Sequence, residues 1–355
     1  MEWLRKFHGH QSTVGLDIGS HSLKLAKVAK RKDGYYLEAT GIKELKPGTI
    51  VNGDIKKKDE LIDAVTTLIN QCDPSITQIV ISMSGHGILS DKFLFKRNAN
   101  ENVEEVILWE AGQRSPFDVE DITLDYKILR ELPESNELEV LLVAAKNKIM
   151  QGYIDLLYEA GFSPVVVDAD AFAIYNCYCL ENDGFPDSGT VVLLNIGHEL
   201  TSVIFIKDGL FHSSRDISTA GEFFTKTLMR NLNVDEKVAK DIIAGRAVDS
   251  HDPVLVRRSM EFAAEELSAG IDLAFSYYRN SEKNDQIKKI VLSGGGAYIP
   301  ELPSFLKKRH ETEVQVSNPL AHLQYDMEMF GAVNPQSISA FLTVSVGLAS
   351  RKLEI

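Results

Sequence analysis

Two stretches of this chain, half a chain apart, follow one plan. Val14-Gly-Leu-Asp-Ile-Gly-Ser-His-Ser-Leu-Lys-Leu-Ala-Lys-Val28 aligns without a gap on Val192-Leu-Leu-Asn-Ile-Gly-His-Glu-Leu-Thr-Ser-Val-Ile-Phe-Ile206. Asp17 falls on Asn195, Ile18 on Ile196 and Gly19 on Gly197. Each copy reads as an apolar strand, a polar turn with glycine, and a second apolar strand. That is a hairpin, with glycine where the backbone turns or something approaches closely. A repeat at half length predicts two similar domains facing each other.

Composition narrows the class. The chain has 355 residues, and at about 150 residues per domain that allows two or three domains. With 44% hydrophobic and 25% charged residues, it is ordinary globular protein, not collagen, coiled-coil rod or disordered tail. No window approaches the ~18 apolar residues of a membrane span. Met1 to Phe7 is basic and amphipathic but has no apolar run after it, so no signal peptide is expected; packing or fraying is favoured over lipid contact. Cys72, Cys177 and Cys179 form no CxxC pair, which fits a reducing, cytoplasmic setting. Lys+Arg 38 against Asp+Glu 51 gives −13, a balance that argues against broad nucleic-acid binding. His8 and His10 match no zinc spacing. Glu265 and Glu266 read as a solvated helix face.

Periodicity predicts strands at 13–19, 22–30, 35–44 and 78–84 and a helix at 59–71. Residues 98–161 read as an insert: helix 103–113, strands 123–129 and 138–145, helix 146–160, punctuated by Pro116 and Pro133. Strand 165–168 and a helix from Ala169 close the first domain, and 181–189 is a turn-rich linker. The second domain is expected to carry strands at 190–196, 201–207, 210–214 and 287–293. Its helices are placed at 221–232, 234–244, 257–279 and 301–309, and an apolar helix over 338–349 ends the chain. Strands alternating with helices indicate an α/β fold.

Three elements have the chemistry to cradle phosphate. The first hairpin offers Asp17, Gly19, Ser20, His21, Ser22 and Lys24. Glycine lets backbone N–H groups face an anion, the hydroxyls donate, and Lys24 brings positive charge toward β- and γ-phosphates. Asp17 can hold the water shell of Mg²⁺. The second hairpin offers Asn195, Gly197, His198, Glu199 and Thr201. The third is an apolar strand ending in Ser293-Gly294-Gly295-Gly296, bare backbone against which a base or ribose can lie, with Tyr298 to flank it. A tight turn explains any one of these; the three together point to a nucleotide.

The order hairpin, hairpin, Ser-Gly-Gly-Gly resembles the superfamily of actin, sugar kinases and heat-shock ATPases. Val165-Val-Val-Asp-Ala-Asp-Ala-Phe-Ala-Ile-Tyr175 and Ala340-Phe-Leu-Thr-Val-Ser-Val-Gly-Leu-Ala349 resemble its two connecting helices. The insert resembles the relocated subdomain of FtsA and PilM. Pro116-Phe117, Leu124-Asp-Tyr126, Leu142-Val-Ala-Ala145 and Tyr153-Ile-Asp-Leu-Leu-Tyr-Glu-Ala-Gly161 are most similar to the PilM family of type IV pilus assembly proteins. The resemblance implies a two-domain actin-like ATPase fold. It divides the chain into a first domain (1–97 and 162–189), the insert (98–161), a second domain (190–337, with a subdomain at about 215–285) and a returning C-terminal helix (338–355).

The same resemblance implies an ATP-binding protein at the inner face of the cytoplasmic membrane. It would dock the N-terminal peptide of a PilN-like bitopic partner in a groove beside the insert. Trp109, Phe117 and Leu124 are candidates for that groove, with core packing the plainer role for each. Gly221 is placed near the ribose, and Asp168 at the position that orients attacking water, where a helix cap is an equal reading. Asn195 replaces the usual second aspartate, and Lys240 and Ile243 stand where relatives carry adenine and ribose contacts. Weak or absent hydrolysis is the expectation. An FtsA-like division scaffold and a small-molecule kinase remain open alternatives.

Overall fold

The two repeats become the centres of two five-stranded sheets. The computed structural model describes residues 12–96, 102–114, 117–182, 188–246, 252–282 and 286–351; the Met1–Phe7 segment, His8, His10 and Pro116 lie outside them. The first half runs β1 (Ser12–Ile18), β2 (Ser22–Arg31), β3 (Gly34–Glu44), β4 (Ile50–Val51), β5 (Asp54–Ile55), α1 (Lys58–Cys72) and β6 (Gln78–Met83). It continues through β7 (Ile88–Lys96), α2 (Val103–Arg114), β8 (Ile122–Leu132), β9 (Glu137–Lys146), α3 (Asn147–Glu159), β10 (Ser163–Ala169) and α4 (Asp170–Glu181). The second half runs β11 (Thr190–Ile196), β12 (Thr201–Lys207), β13 (Leu210–Ile217), α5 (Gly221–Leu232), α6 (Glu236–Ile243) and α7 (Pro253–Ser281). β14 (Ile287–Ser293), α8 (Leu302–His310), β15 (Glu313–Val316) and α9 (Thr343–Ala349) complete it.

Strand orders are β3-β2-β1-β6-β10 and β13-β12-β11-β14-β15. In each, the hairpin and its third strand are antiparallel and the two added strands run parallel to the first. The turns close alike: Gly19 N–H donates to Ser22 O at 3.2 Å and Gly197 N–H to Leu200 O at 2.9 Å. β11 is buried on both faces from Thr190 to Leu194, as expected of a sheet covered on both sides. One core lies between the first sheet and α1 and α3, with Leu16, Leu61 and Leu156. Another joins the second sheet to α5, α7 and α8 through Phe205, Phe224 and Leu267.

Between the domains α4 and α9 pack almost backbone to backbone. A Cβ on Gly347 would stand 1.8 Å from Ala173 O, and one on Gly15 2.1 Å from Ser345 O. Glycine at these positions lets α9 lie against α4 on one side and β1 on the other.

Three expectations change. The insert's sheet has the order β7-β9-β8, so it takes its first strand from Ile88–Lys96, ahead of residue 98. In that strand Phe93 and Phe95 face the insert core, but Asp91-Lys92 interrupts the apolar pattern; Lys92 is held by Glu139 at 2.9 Å. β15 was not expected because its positions are mostly exposed and give no periodicity. Residues 338–349 do not form one helix: 3-10 turns at Pro335–Ser337 and Ser339–Leu342 precede α9. Ala340 explains the break, since its N–H donates to Tyr298 Oη (3.0 Å) and its carbonyl accepts from Gly294 N–H (2.9 Å), which takes both groups away from a helical ladder.

Gly347→Ala should therefore cost at least about 2 kcal/mol, because backbone rather than a side-chain tip must move. Gly152→Ala in α3, where an added Cβ meets nothing within 4 Å, should instead gain about 0.5–1 kcal/mol from helix propensity. Urea denaturation of the two variants checks both signs.

Candidate functional site

The hairpin turns and the glycine run converge on one cavity of about 850 Å³ between the domains. Asp17, Gly19, Ser20, His21, Ser22 and Lys24 line it from the first hairpin; Asn195, Gly197, His198 and Glu199 line it from the second. Gly221, Gly294, Gly295, Gly296 and Tyr298 close the remaining wall, with Lys240, Ile243 and Arg246 from α6 and the turn after it.

The two tips meet at their histidines. The His21 and His198 rings lie 4.8 Å apart, tilted by 30°. Burial lowers both pKa values, His198 to about 4; the His21 imidazole adds to the lowering at His198, and Lys240 pushes both the same way. Near neutral pH both rings are uncharged, so they bring hydrogen-bonding capacity to a ligand without charge. Lys24 Nζ is 3.2 Å from Asp17 Oδ2 and donates to Ser22 O at 3.2 Å; strand register places Lys24 directly opposite Asp17.

Three expected residues do not reach the cavity. Thr201 is fully buried and its hydroxyl donates to Thr219 O at 2.8 Å, fixing the loop that leads to Gly221. Ser293 is buried and donates to Asn195 Oδ1 at 3.2 Å. Asp168 is also outside the lining: it pairs with Arg351 and accepts from Ala169 N–H at 2.9 Å. It joins β10 to the chain's end, and the helix begins two residues later without a side-chain cap.

The glycine run also has an internal reason. A Cβ on Gly294 would lie 2.6 Å from Ile196 O, one on Gly296 2.1 Å from Ile196 Cγ2, and one on Gly295 2.9 Å from Phe341 Cε1. What approaches these glycines is the end of β11 and Phe341. Tyr298 stacks on Phe341 at 5.2 Å and donates its hydroxyl to Gln336 O at 2.9 Å, so it forms a fixed wall.

Asp170, not singled out from sequence, does line the cavity. It opens α4 beside Ser82 and Ser84. Burial, and then the charge of Asp17, push its carboxyl up to about 6, against the pull of those two hydroxyls. Asp17 and Asp170, with these hydroxyls, form the oxygen-rich corner a hydrated Mg²⁺ requires. Among the described residues no cluster of three or more His, Cys, Asp or Glu forms a metal site. The signal for Asp170 was the spacing Asp168-Ala-Asp170, read from its first member only.

The raised pKa fixes a pH dependence. Between the unfolded value near 3.8 and the folded value of about 6, the native state holds a proton that the unfolded state has lost. Stability thus falls as pH rises through that window and carries the full cost above it. Asp170→Asn should match wild type below pH 4 and exceed it at pH 7–8 by up to about 3 kcal/mol. Urea midpoints measured from pH 4 to 8 check this.

The sequence pattern of the family described as type IV pilus assembly protein PilM matches residues 15–353. Among solved structures, the chain is similar to the PilM-PilN type IV pilus biogenesis complex at TM-score 0.81 and 24% identity, over 96% of this chain and 98% of that one. It is also similar to the ethanolamine utilization protein EutJ of Carboxydothermus hydrogenoformans (TM-score 0.57, 13% identity, 96% and 90% covered). An MreB protein of Spiroplasma citri bound to AMPPNP gives TM-score 0.51 at 12% identity, with 95% and 94% covered. The fold is the actin-like ATPase fold, and with its family pattern running through both domains and the insert, this chain belongs to the PilM family of type IV pilus assembly proteins.

Proposed function

We propose that the chain binds Mg-ATP in the cleft and acts as a scaffold of the type IV pilus inner-membrane platform. It holds the cytoplasmic N-terminal segment of a PilN-like membrane protein beside the insert. The observation that carries the nucleotide reading is the convergence of both hairpin turns and the Gly294–Gly296 turn on one cavity. Lys24 supplies charge to phosphate, Gly221 leaves room beside the sugar, and Asp17 with Asp170 faces the metal's water shell. Bound Mg²⁺ would neutralise phosphate charge. Asn195 keeps an acceptor oxygen, already used by Ser293, and lacks the charge that would order metal-bound water; slow or absent turnover follows.

The partner reading rests on the family and on the insert's surface. Trp109 on α2 is 65% exposed and Leu94 on β7 is 51% exposed, whereas Leu124 packs on the insert core and Phe117 lies under the Lys146 ammonium at 4.6 Å. On this reading the exposed Trp109 is the apolar anchor offered to a peptide, while Leu124 and Phe117 are engaged within the insert. No described helix is long and apolar enough to cross a membrane. On this reading, contact with the inner membrane runs through the partner.

Nucleotide-free protein should gain about 2.7 kcal/mol of stability at a hundredfold excess of Mg-ATP over Kd, seen as a rise of several degrees in Tm; an unmoved Tm overturns the ATP reading. Asn195→Asp should steepen the dependence of nucleotide affinity on Mg²⁺, measured by calorimetry with and without the ion. Trp109→Ala should weaken binding of the partner's N-terminal peptide by about tenfold or more, the loss of one aromatic anchor, in a fluorescence titration of labelled peptide.

A further inference from the structure

The hairpin β4–β5 has strands of two residues each. So short a ladder cannot hold its place by itself; its anchors fix it, and they lie on three different parts of the molecule. At the root, Leu45 N–H donates to His21 O at 2.8 Å, which ties it to the first phosphate hairpin. Thr49, fully buried, accepts from Lys56 and Lys57 N–H at 2.8 and 3.2 Å and pins the base. The tip, Asn52-Gly53, has φ 51° and 78°, the rigid two-residue turn with both residues left-handed. Asn52 N–H donates to Glu199 Oε2 at 2.8 Å, so the tip crosses the cleft to the second hairpin. Gly53 O accepts from Tyr153 Oη at 3.0 Å, which joins the same tip to α3 at the base of the insert.

We propose that β4–β5 is a strap through which the position of Glu199 on the second hairpin sets the position of α3 and with it the insert. Glu199 then acts as a positioning residue for the insert. The two tip residues are adjacent and share one stiff turn, so a displacement of Glu199 reaches Tyr153 across a single peptide unit. Tyr153 borders the cavity with its ring packed among Leu156, Leu157 and the first domain's apolar cluster, and its hydroxyl is the polar end that the strap holds. Coupling of the strap to nucleotide rests on the function proposed above; the mechanical link from Glu199 to α3 does not.

Hydrogen–deuterium exchange of the full chain tests the link, read at residues 50–55 and 147–159 with β14 as internal reference. In nucleotide-free protein, Glu199→Ala should speed exchange in both segments about three- to tenfold, the effect of one lost hydrogen bond on local opening. Tyr153→Phe keeps the ring in the core; it should speed exchange in α3, and adding Glu199→Ala to it should change α3 no further. If Glu199→Ala loosens 50–55 and leaves α3 unchanged, or if the two substitutions simply add at α3, the strap is overturned. With Mg-AMPPNP, protection at 17–24 and 195–201 reports binding itself. Where those segments are protected, the wild-type response at α3 should vanish in Tyr153→Phe, and its persistence counts against the strap. Absence of protection at the hairpins removes the nucleotide reading, and the nucleotide-free comparison still decides the link.

Discussion

The close approach of α4 and α9 is the constraint from which the cleft follows. With no side chain at Gly347 and a Cβ there 1.8 Å from Ala173 O, the two helices cross at backbone contact. Gly15 brings β1 equally near α9. These contacts set the spacing of the two sheets, and that spacing lets the hairpin turns face each other with the imidazoles of His21 and His198 touching. A wider separation would part the turns and open the cavity to solvent. The contact also places the start of α4 in the cleft, which is how Asp170 comes to the cavity while Asp168, on the strand before it, turns to Arg351.

Several groups in the cleft are held at a cost to stability. Asp170 is ionised at neutral pH in a place where burial opposes its charge, and two imidazoles are kept neutral chiefly by burial. Groups of this kind gather where a protein keeps a site in preference to stability. The rest of the core shows little of this tension: the large buried side chains are almost all aliphatic or aromatic.

Much of this was legible in the sequence because the hairpins are local. Asp17, Lys24, Asn195 and Gly197 are placed by turns of a few residues, and a gapless repeat fixes their equivalence. The paired sheets follow from the duplication. What escaped was set by distant partners. Ser293 and Thr201 read as ligand donors, yet Asn195 and Thr219 claim their hydroxyls across the fold. Asp168 and Asp170 differ by two residues on one chain, and only the point where β10 becomes α4 decides which enters the cavity. The helix over 338–349 was interrupted by Tyr298, whose hydroxyl takes the Ala340 N–H. β7 was hidden by a charge pair that breaks its alternation.

The charges around the cleft bear on the form in which a nucleotide would enter. Lys24 is paired with Asp17, Lys240 with Glu236 at 2.7 Å and Arg246 with Asp241 at 2.7 Å. His21 and His198 carry no charge near neutral pH. Each cation named in the wall is therefore already balanced, in a chain of net charge −13. A bare triphosphate would have to strip a carboxylate of its partner for every ion pair it made, and Asp170 would repel it. On the proposed reading, Asp17 and Asp170 would hold the water shell of a divalent cation, which would supply Asp170 with a counter-charge and leave Lys24, now paired with Asp17, available to phosphate. On that reading, the metal is the means by which an acidic cleft accepts an anionic ligand.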